Sequence, residues 1–318
     1  MKLPHYLFMG AVLLTAKGAV GQQTAPQGIE HVIVIGIDGL SSNGLREAAT
    51  PTIDKLIAQG SVVWDARTVL PSVSSPNWAS MITGAGPEQH GVTSNEWEVD
   101  SVRLQPVVQN ESGRFPSIFD VVHAQRPGAE IASVYDWDGF GRLYDKASVS
   151  YDAHFKSADA TAAAFSQYIV EKKPVFAMIQ LDHVDHAGHE YGHMTPEYLA
   201  SIAHADALVA GILDGIAQAG IADQTLVILS SDHGGIGKGH GGENIAEVTI
   251  PIILSGRGVK AGYVVQQPTY TYDTAATAAF ALGLTQPYAW IGRPILPAFK
   301  GFEEPANRLG TKPKAVGK

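Results

Sequence analysis

Seven residues able to ligate or attack lie in four separate stretches of the chain. They are Asp38 in HVIVIGIDG, Ser74 in LPSVSSPNW, Asp185 and His189 in VDHAGHEYG, and Asp232, His233 and His240 in ILSSDHGGIGKGHGG. Carboxylates and imidazoles in this mixture suit divalent ions such as zinc, and they also accept manganese. Divided this way they suit two adjacent ions, and a serine hydroxyl held between such ions becomes acidic enough to act as a nucleophile. With one zinc on Asp38, Asp232 and His233, Ser74 can bind that ion as the alkoxide and so counts among the metal ligands.

The local pattern around Ser74 agrees with that role. Pro76 suits the first turn of a helix and Ser75 suits its N-cap, so Ser74 is expected just before a helix amino end. Free N–H groups and the helix dipole favour a phosphate there. The VDHAGHEYGH stretch is ambiguous on spacing alone. Asp182/His186 and Asp185/His189 are both spaced i, i+4, and His183 and His193 are close by. In SDHGGIGKGHGG the adjacent Asp232 and His233 can face one ion, while His240 reaches a second across a glycine-rich loop.

Positioning these residues requires a framework. Strand-like runs at 31–37, 61–70, 130–136, 174–181, 225–231 and 250–256 alternate with helical patterns at 51–59, 76–83, 116–125, 158–173, 196–220 and 273–283. Short, nearly all-apolar strands alternating with helices predict a mostly parallel sheet covered on both faces. Functional groups then belong past the carboxyl ends of strands, where Asp38, Asp185 and Asp232 fall.

Composition narrows the possible partners. The chain has 318 residues, 45% of them hydrophobic, enough for one large core. A net charge of −9 with no basic stripe excludes a nucleic-acid polymer as the expected partner. A small anionic substrate therefore needs local positive charge, which bound metal supplies. The absence of cysteine excludes thiolate ligands and disulfides. Residues 1–21 read as a secretory signal: Lys2, the apolar run from Tyr6 to Ala16, then small residues at 19–21. That run is far shorter than the roughly 20 residues of a membrane-spanning helix. The expectation is an exported or periplasmic protein with no membrane insertion after cleavage and no other membrane-crossing segment. Residues 22–300 are expected to form a single catalytic domain and residues 301–318 a polar surface tail.

In order along residues 30–297, HVIVIGIDGL, TPTIDKLIAQG, SSPN, HGVTSNEW, DHAGHEYG, SDHGG, GHGG and IGRPI together resemble the alkaline phosphatase superfamily, in its nucleotide pyrophosphatase/phosphodiesterase branch. The resemblance implies an α/β three-layer sandwich and hydrolysis of phosphodiester or nucleotide pyrophosphate bonds through a phosphoseryl intermediate. It implies two zinc ions, one on Asp38, Asp232 and His233 with Ser74 as nucleophile, the other on Asp185, His189 and His240. The DxxGHxxG pattern selects Asp185/His189 over Asp182/His186, and Asn95 matches the asparagine that donates to a phosphoryl oxygen. Two departures bear on substrate. Serine replaces the branch's usual threonine, and His240 follows His233 by only seven residues where many diesterases carry a long insertion.

Alternatives remain at this level. A phosphomonoesterase of the same superfamily needs an extra cation, for which Arg142 is a candidate. A sulfatase needs a C/S-x-P-x-R motif, but Trp78 stands where the arginine belongs. A secreted metal-dependent binding protein without turnover is the reading from another class. Tyr135, Trp137 and Phe140 suggest a base-stacking pocket, and His90 is placed to orient the Asn95 loop. His31, His123 and His204 are expected to be structural or surface residues.

Overall fold

The computed structural model describes residues 25–306 apart from Val102, so the expected signal at 1–21 and the end of the expected tail lie outside the described residues. One eight-stranded sheet forms the centre, in the order β4-β3-β5-β1-β6-β7-β2-β8. The strands are β1 (His31–Ile37), β2 (Ser61–Arg67), β3 (Ile131–Tyr135), β4 (Tyr151–His154), β5 (Phe176–Leu181), β6 (Thr225–Ser230), β7 (Thr249–Gly256) and β8 (Tyr263–Val264). Neighbours pair in parallel except at β7, which runs antiparallel to both β6 and β2. Strands β4 and β8 were not apparent in the sequence. Both lie at sheet edges, are short, and are only partly buried, so they carry too little apolar signal.

The helices are α1 (Ser42–Glu47), α2 (Pro51–Gln59), α3 (Ser74–Thr83), α4 (Pro87–His90), α5 (Ile118–Gln125), α6 (Ala158–Lys172), α7 (His183–Tyr191), α8 (Pro196–Gln218), α9 (Ile245–Val248) and α10 (Asp273–Ala281). Two separate cores show how they cover the sheet. Val32 and Val34 of β1 pack with residues of α3, α5 and α10 on one face. Ile33, Ile35 and Ile37 pack with residues of α2, α6 and α8 on the other. An unbroken apolar strand is therefore the expected sequence for β1, because both of its faces are buried.

Helix α8 corrects one expectation. It is long and apolar enough, by length and composition alone, to cross a membrane. Its stripe Tyr198, Ile202, Ala205, Val209, Ile212 and Ile216 follows helical periodicity and packs into the second core. Past Phe299 the chain does not leave the surface at once. Phe302 packs against the first core, and the Glu304 carboxylate accepts hydrogen bonds from Tyr263 Oη (2.9 Å) and Gln266 N (2.8 Å).

Candidate metal centre

Adjacent strands β5, β1 and β6 end side by side, and each is followed by a predicted ligand. Asp38 follows β1, Asp185 lies in the first turn of α7 after β5, and Asp232 and His233 follow β6. Cross-links fix these ends in register. Gly39 N donates to Asp232 Oδ1 at 3.2 Å and Leu40 N donates to Ser231 Oγ at 2.9 Å. Gly39 has φ 69°, and a Cβ there would sit 2.8 Å from Asp185 Cα. Only glycine allows both that backbone and that close approach.

All seven predicted residues meet in one bay, in two overlapping groups. Asp185, His189 and His240 have ligand atoms within 4.8 Å of one another, as do Asp38, Asp185 and His233. Asp232 Oδ2 lies 3.3 Å from His233 Nε2, as does Asp38 Oδ1. Ser74 Oγ is also 3.3 Å from His233 Nε2. Asp185 thus takes a shared position, whereas the sequence placed it with the second ion alone. His186 points elsewhere, into solvent beside Glu190.

The imidazoles are oriented from behind. The Nδ1 atoms of His189, His233 and His240 lie 2.9, 2.8 and 2.9 Å from the backbone oxygens of Lys238, Gly234 and Ser72. Carbonyls only accept, so each Nδ1 carries a hydrogen, and in the neutral, metal-binding form each Nε2 turns a lone pair into the bay. In that neutral form His189 Nε2 and His240 Nε2 face each other at 3.1 Å as two acceptors, a clash that a proton or a cation between them relieves. Asp38 Oδ1, Asp185 Oδ1 and Asp232 Oδ2 are buried without a hydrogen-bond partner among the described residues. Buried carboxylate oxygens and facing lone pairs are costly unless a cation lies among them, so this donor set fits divalent metal.

The electrostatics carry the same message. Burial first, then repulsion from Asp232 and Asp185, pushes the Asp38 carboxyl well above its ordinary range. Burial and Asp185 do the same to Asp232. Burial opposes ionisation of Asp185 too, but the His189 hydrogen bond and the nearby His233 and His240 hold it at about 2. His189, bonded to Asp185, rises to about 9. His233, wholly buried beside His240, falls to about 3. Without cations the cluster takes up protons in their place.

The nucleophile segment departs from expectation in one respect. Helix α3 starts at Ser74 itself with Val73 at the N-cap position, so Ser75 is not the cap. Asn77 holds the turn instead: its Oδ1 accepts from Val69 N at 2.7 Å and its Nδ2 donates to Val73 O at 3.0 Å. Ser75 N donates to Asn95 Oδ1 at 2.8 Å, and Pro76 has no N–H, so the amino end offers fewer donors than expected. The same bond fixes the Asn95 amide and leaves its Nδ2 hydrogens as free donors. His90 bridges helix and loop, its Nε2 3.0 Å from Ser80 Oγ and its Nδ1 accepting from Val92 N at 3.0 Å.

The aromatic expectation is overturned for two of three residues. Phe140 is fully buried edge-on to Trp78, and Tyr135 is buried against Phe140. Only Trp137 is half-buried. Arg142 is engaged by Glu98 at 2.7 Å and by the Asn95 carbonyl. His31 bonds Pro174 O, while His123 and His204 are exposed. Sequence reasoning missed Ser72, Gln180 and the role of Trp78. Ser72 Oγ donates to Gly242 O at 2.6 Å and accepts from Gly241 N at 3.1 Å, tying the nucleophile loop to the His240 loop.

Comparison with known proteins places this arrangement first in a class. The fold matches murine ectonucleotide pyrophosphatase / phosphodiesterase 5, inactive and in complex with AMP, with TM-score 0.67 and 14% identity over 81% of this chain and 96% of that one. The family model of type I phosphodiesterase / nucleotide pyrophosphatase matches residues 32–238, and the chain belongs to that family. An uncharacterized pyrophosphatase/phosphodiesterase of Schizosaccharomyces pombe is 28% identical over 64% of this chain and 44% of its own length. A Crotalus durissus collilineatus venom phosphodiesterase is 25% identical over 67% of this chain and 27% of its own. The matches thus span less than half the length of these curated relatives.

Proposed function

We propose that this protein is an exported two-metal hydrolase of phosphodiester or nucleotide pyrophosphate bonds, working through a phosphoseryl intermediate at Ser74. One observation carries the reading: three unpartnered carboxylate oxygens and three Nε2 lone pairs converge beside the Ser74 hydroxyl. Asp38, Asp232 and His233 would hold one zinc, and Asp185, His189 and His240 the other; manganese suits the same N/O set. Bound cations supply the positive charge that acidifies a serine hydroxyl and stabilises a departing oxygen.

Ser74 Oγ forms the new bond to phosphorus as the ester oxygen leaves. Water then cleaves the phosphoseryl ester and restores the hydroxyl. Asn95 donates from Nδ2 to a phosphoryl oxygen, a contribution of about 3 kcal/mol for one well-placed donor. Two in-line displacements retain configuration at phosphorus, so net inversion would exclude the covalent intermediate.

The diester reading is favoured over a monoesterase because Arg142 is already held by Glu98 and the Asn95 carbonyl. A dianionic phosphoryl group would need that guanidinium free. Zinc-loaded protein should therefore hydrolyse bis-p-nitrophenyl phosphate faster than p-nitrophenyl phosphate. The reverse ranking would make it a monoesterase, and inactivity on both esters would leave a binding protein. A human relative named ectonucleotide pyrophosphatase/phosphodiesterase family member 1 supports a nucleotide as the physiological substrate.

A further inference from the structure

Asp38 is not simply present in the bay; it is aimed. Both hydrogen bonds to its carboxylate fall on one oxygen. Trp78 Nε1 donates to Oδ2 at 2.9 Å, and Gln180 Nε2 donates to the same Oδ2 at 3.2 Å. The other oxygen, Oδ1, is buried, has no hydrogen-bond partner among the described residues, and lies 3.3 Å from His233 Nε2. Trp78 and Gln180 are themselves fully buried, so no water competes for their N–H groups.

Each donor is fixed by a second feature. The Gln180 amide cannot turn over, because its Oε1 accepts from Trp137 N at 3.1 Å. Trp78 lies four residues after Ser74 on α3, one turn further along the same helix face. Its indole crosses β1 over Gly36, where a Cβ would meet two ring carbons at 2.6 Å. Glycine in a strand interior weakens the strand, and here it leaves the space through which the indole reaches Asp38. The helix that carries the nucleophile is thereby bonded directly to a ligand of the first ion.

We propose that Trp78 and Gln180 are positioning residues that present one oxygen of Asp38 to the first metal ion and lock that ion's place relative to Ser74. The inference rests on the metal reading above but goes beyond it, since it assigns roles to two residues that touch neither ion nor substrate. Outer partners of this type are worth about 10–100-fold in metal affinity.

The test is chelator-competition titration of zinc on purified full-length protein, with thermal melting of the metal-free forms alongside. Trp78→Phe keeps a ring against Phe140 but removes the N–H. Gln180→Met keeps length and burial but removes both polar atoms. Gly36→Ala keeps both donors and displaces the indole. Each should weaken one of two zinc equivalents about 10–100-fold and lower kcat with KM little changed. Wild-type affinity for both equivalents in Trp78→Phe and Gln180→Met would overturn the proposal, as would an equal loss at both sites that tracks a lowered melting temperature. Wild-type protein that binds no zinc at all would instead overturn the metal reading on which it rests.

Discussion

The two ligand groups are built differently, although Asp185 belongs to both. Asp38, Asp232 and His233 are wholly buried at the ends of β1 and β6, held by strand register, by Gly39 N and by the Trp78 and Gln180 donors. The outer group depends on a short helix and a loop. His189 sits near the end of α7 with its side chain 47% exposed and bonds the Lys238 carbonyl, and His240 sits on the same glycine-rich loop as Lys238, with its Nδ1 bonded to Ser72 O. Burial among strands gives a rigid site that exchanges slowly. A loop-borne site opens more readily, because local opening needs few contacts to break. The inner group should therefore govern whether the active site exists, and the outer group how readily it fills.

Substitutions can break that contrast. Ser74→Ala, which removes the hydroxyl 3.3 Å from His233 Nε2, should lose roughly ten-thousand-fold or more in turnover while zinc stoichiometry survives. Near-normal turnover would mean a different nucleophile. Asp232→Ala should remove the inner ion and with it all measurable hydrolysis. His240→Ala should bind one zinc equivalent tightly and lose about 100- to 1,000-fold in rate. If His240→Ala instead lost both ions together, the inner group would not be self-sufficient. Ser72→Ala removes the hydroxyl that links the two loops, and should weaken the outer zinc about tenfold, read by chelator competition. An effect on the inner ion would erase the distinction.

The smallest expected effect concerns acid. His90 is buried and held neutral, its pKa lowered to about 3 from an ordinary 6.5. The unfolded chain takes up a proton near 6.5 and the folded one does not until about 3, so stability is full above 6.5 and falls as pH drops through that window. His90→Gln should flatten this part of the urea-midpoint profile of the metal-free protein. An unchanged slope would assign the acid sensitivity to the ligand imidazoles instead.

The sheet was legible because β1, β5 and β6 are buried on both faces and read as nearly continuous apolar runs. The carboxylate ligands were legible for a related reason: Asp38 directly follows β1, and Asp232 and Asp185 come two and four residues after β6 and β5, where functional groups belong in such a sheet. What fixes those ligands was not. Trp78 reads as core, Gln180 as one polar residue within an apolar strand, and Gly36 as a weak point, until the fold brings all three to Asp38. Long-range pairs of this kind leave no periodic trace. The aromatic segment misled in the opposite sense, since Phe140 and Tyr135 follow a strand toward the site yet turn inward to pack.

The reversed direction of β7 has a consequence for change in the molecule. Because β7 runs back from the end where β6 stops, the chain from Ser231 to Val248 never has to cross to the far side of the sheet. Its ends are anchored by neighbouring strands whatever lies between them. Added residues between Gly234 and Gly239 would lengthen a surface excursion without shifting strand register, at an entropic cost that grows only slowly with length. That interval is a natural port for grafted segments that reshape the entrance, provided the Lys238 carbonyl stays on His189 Nδ1.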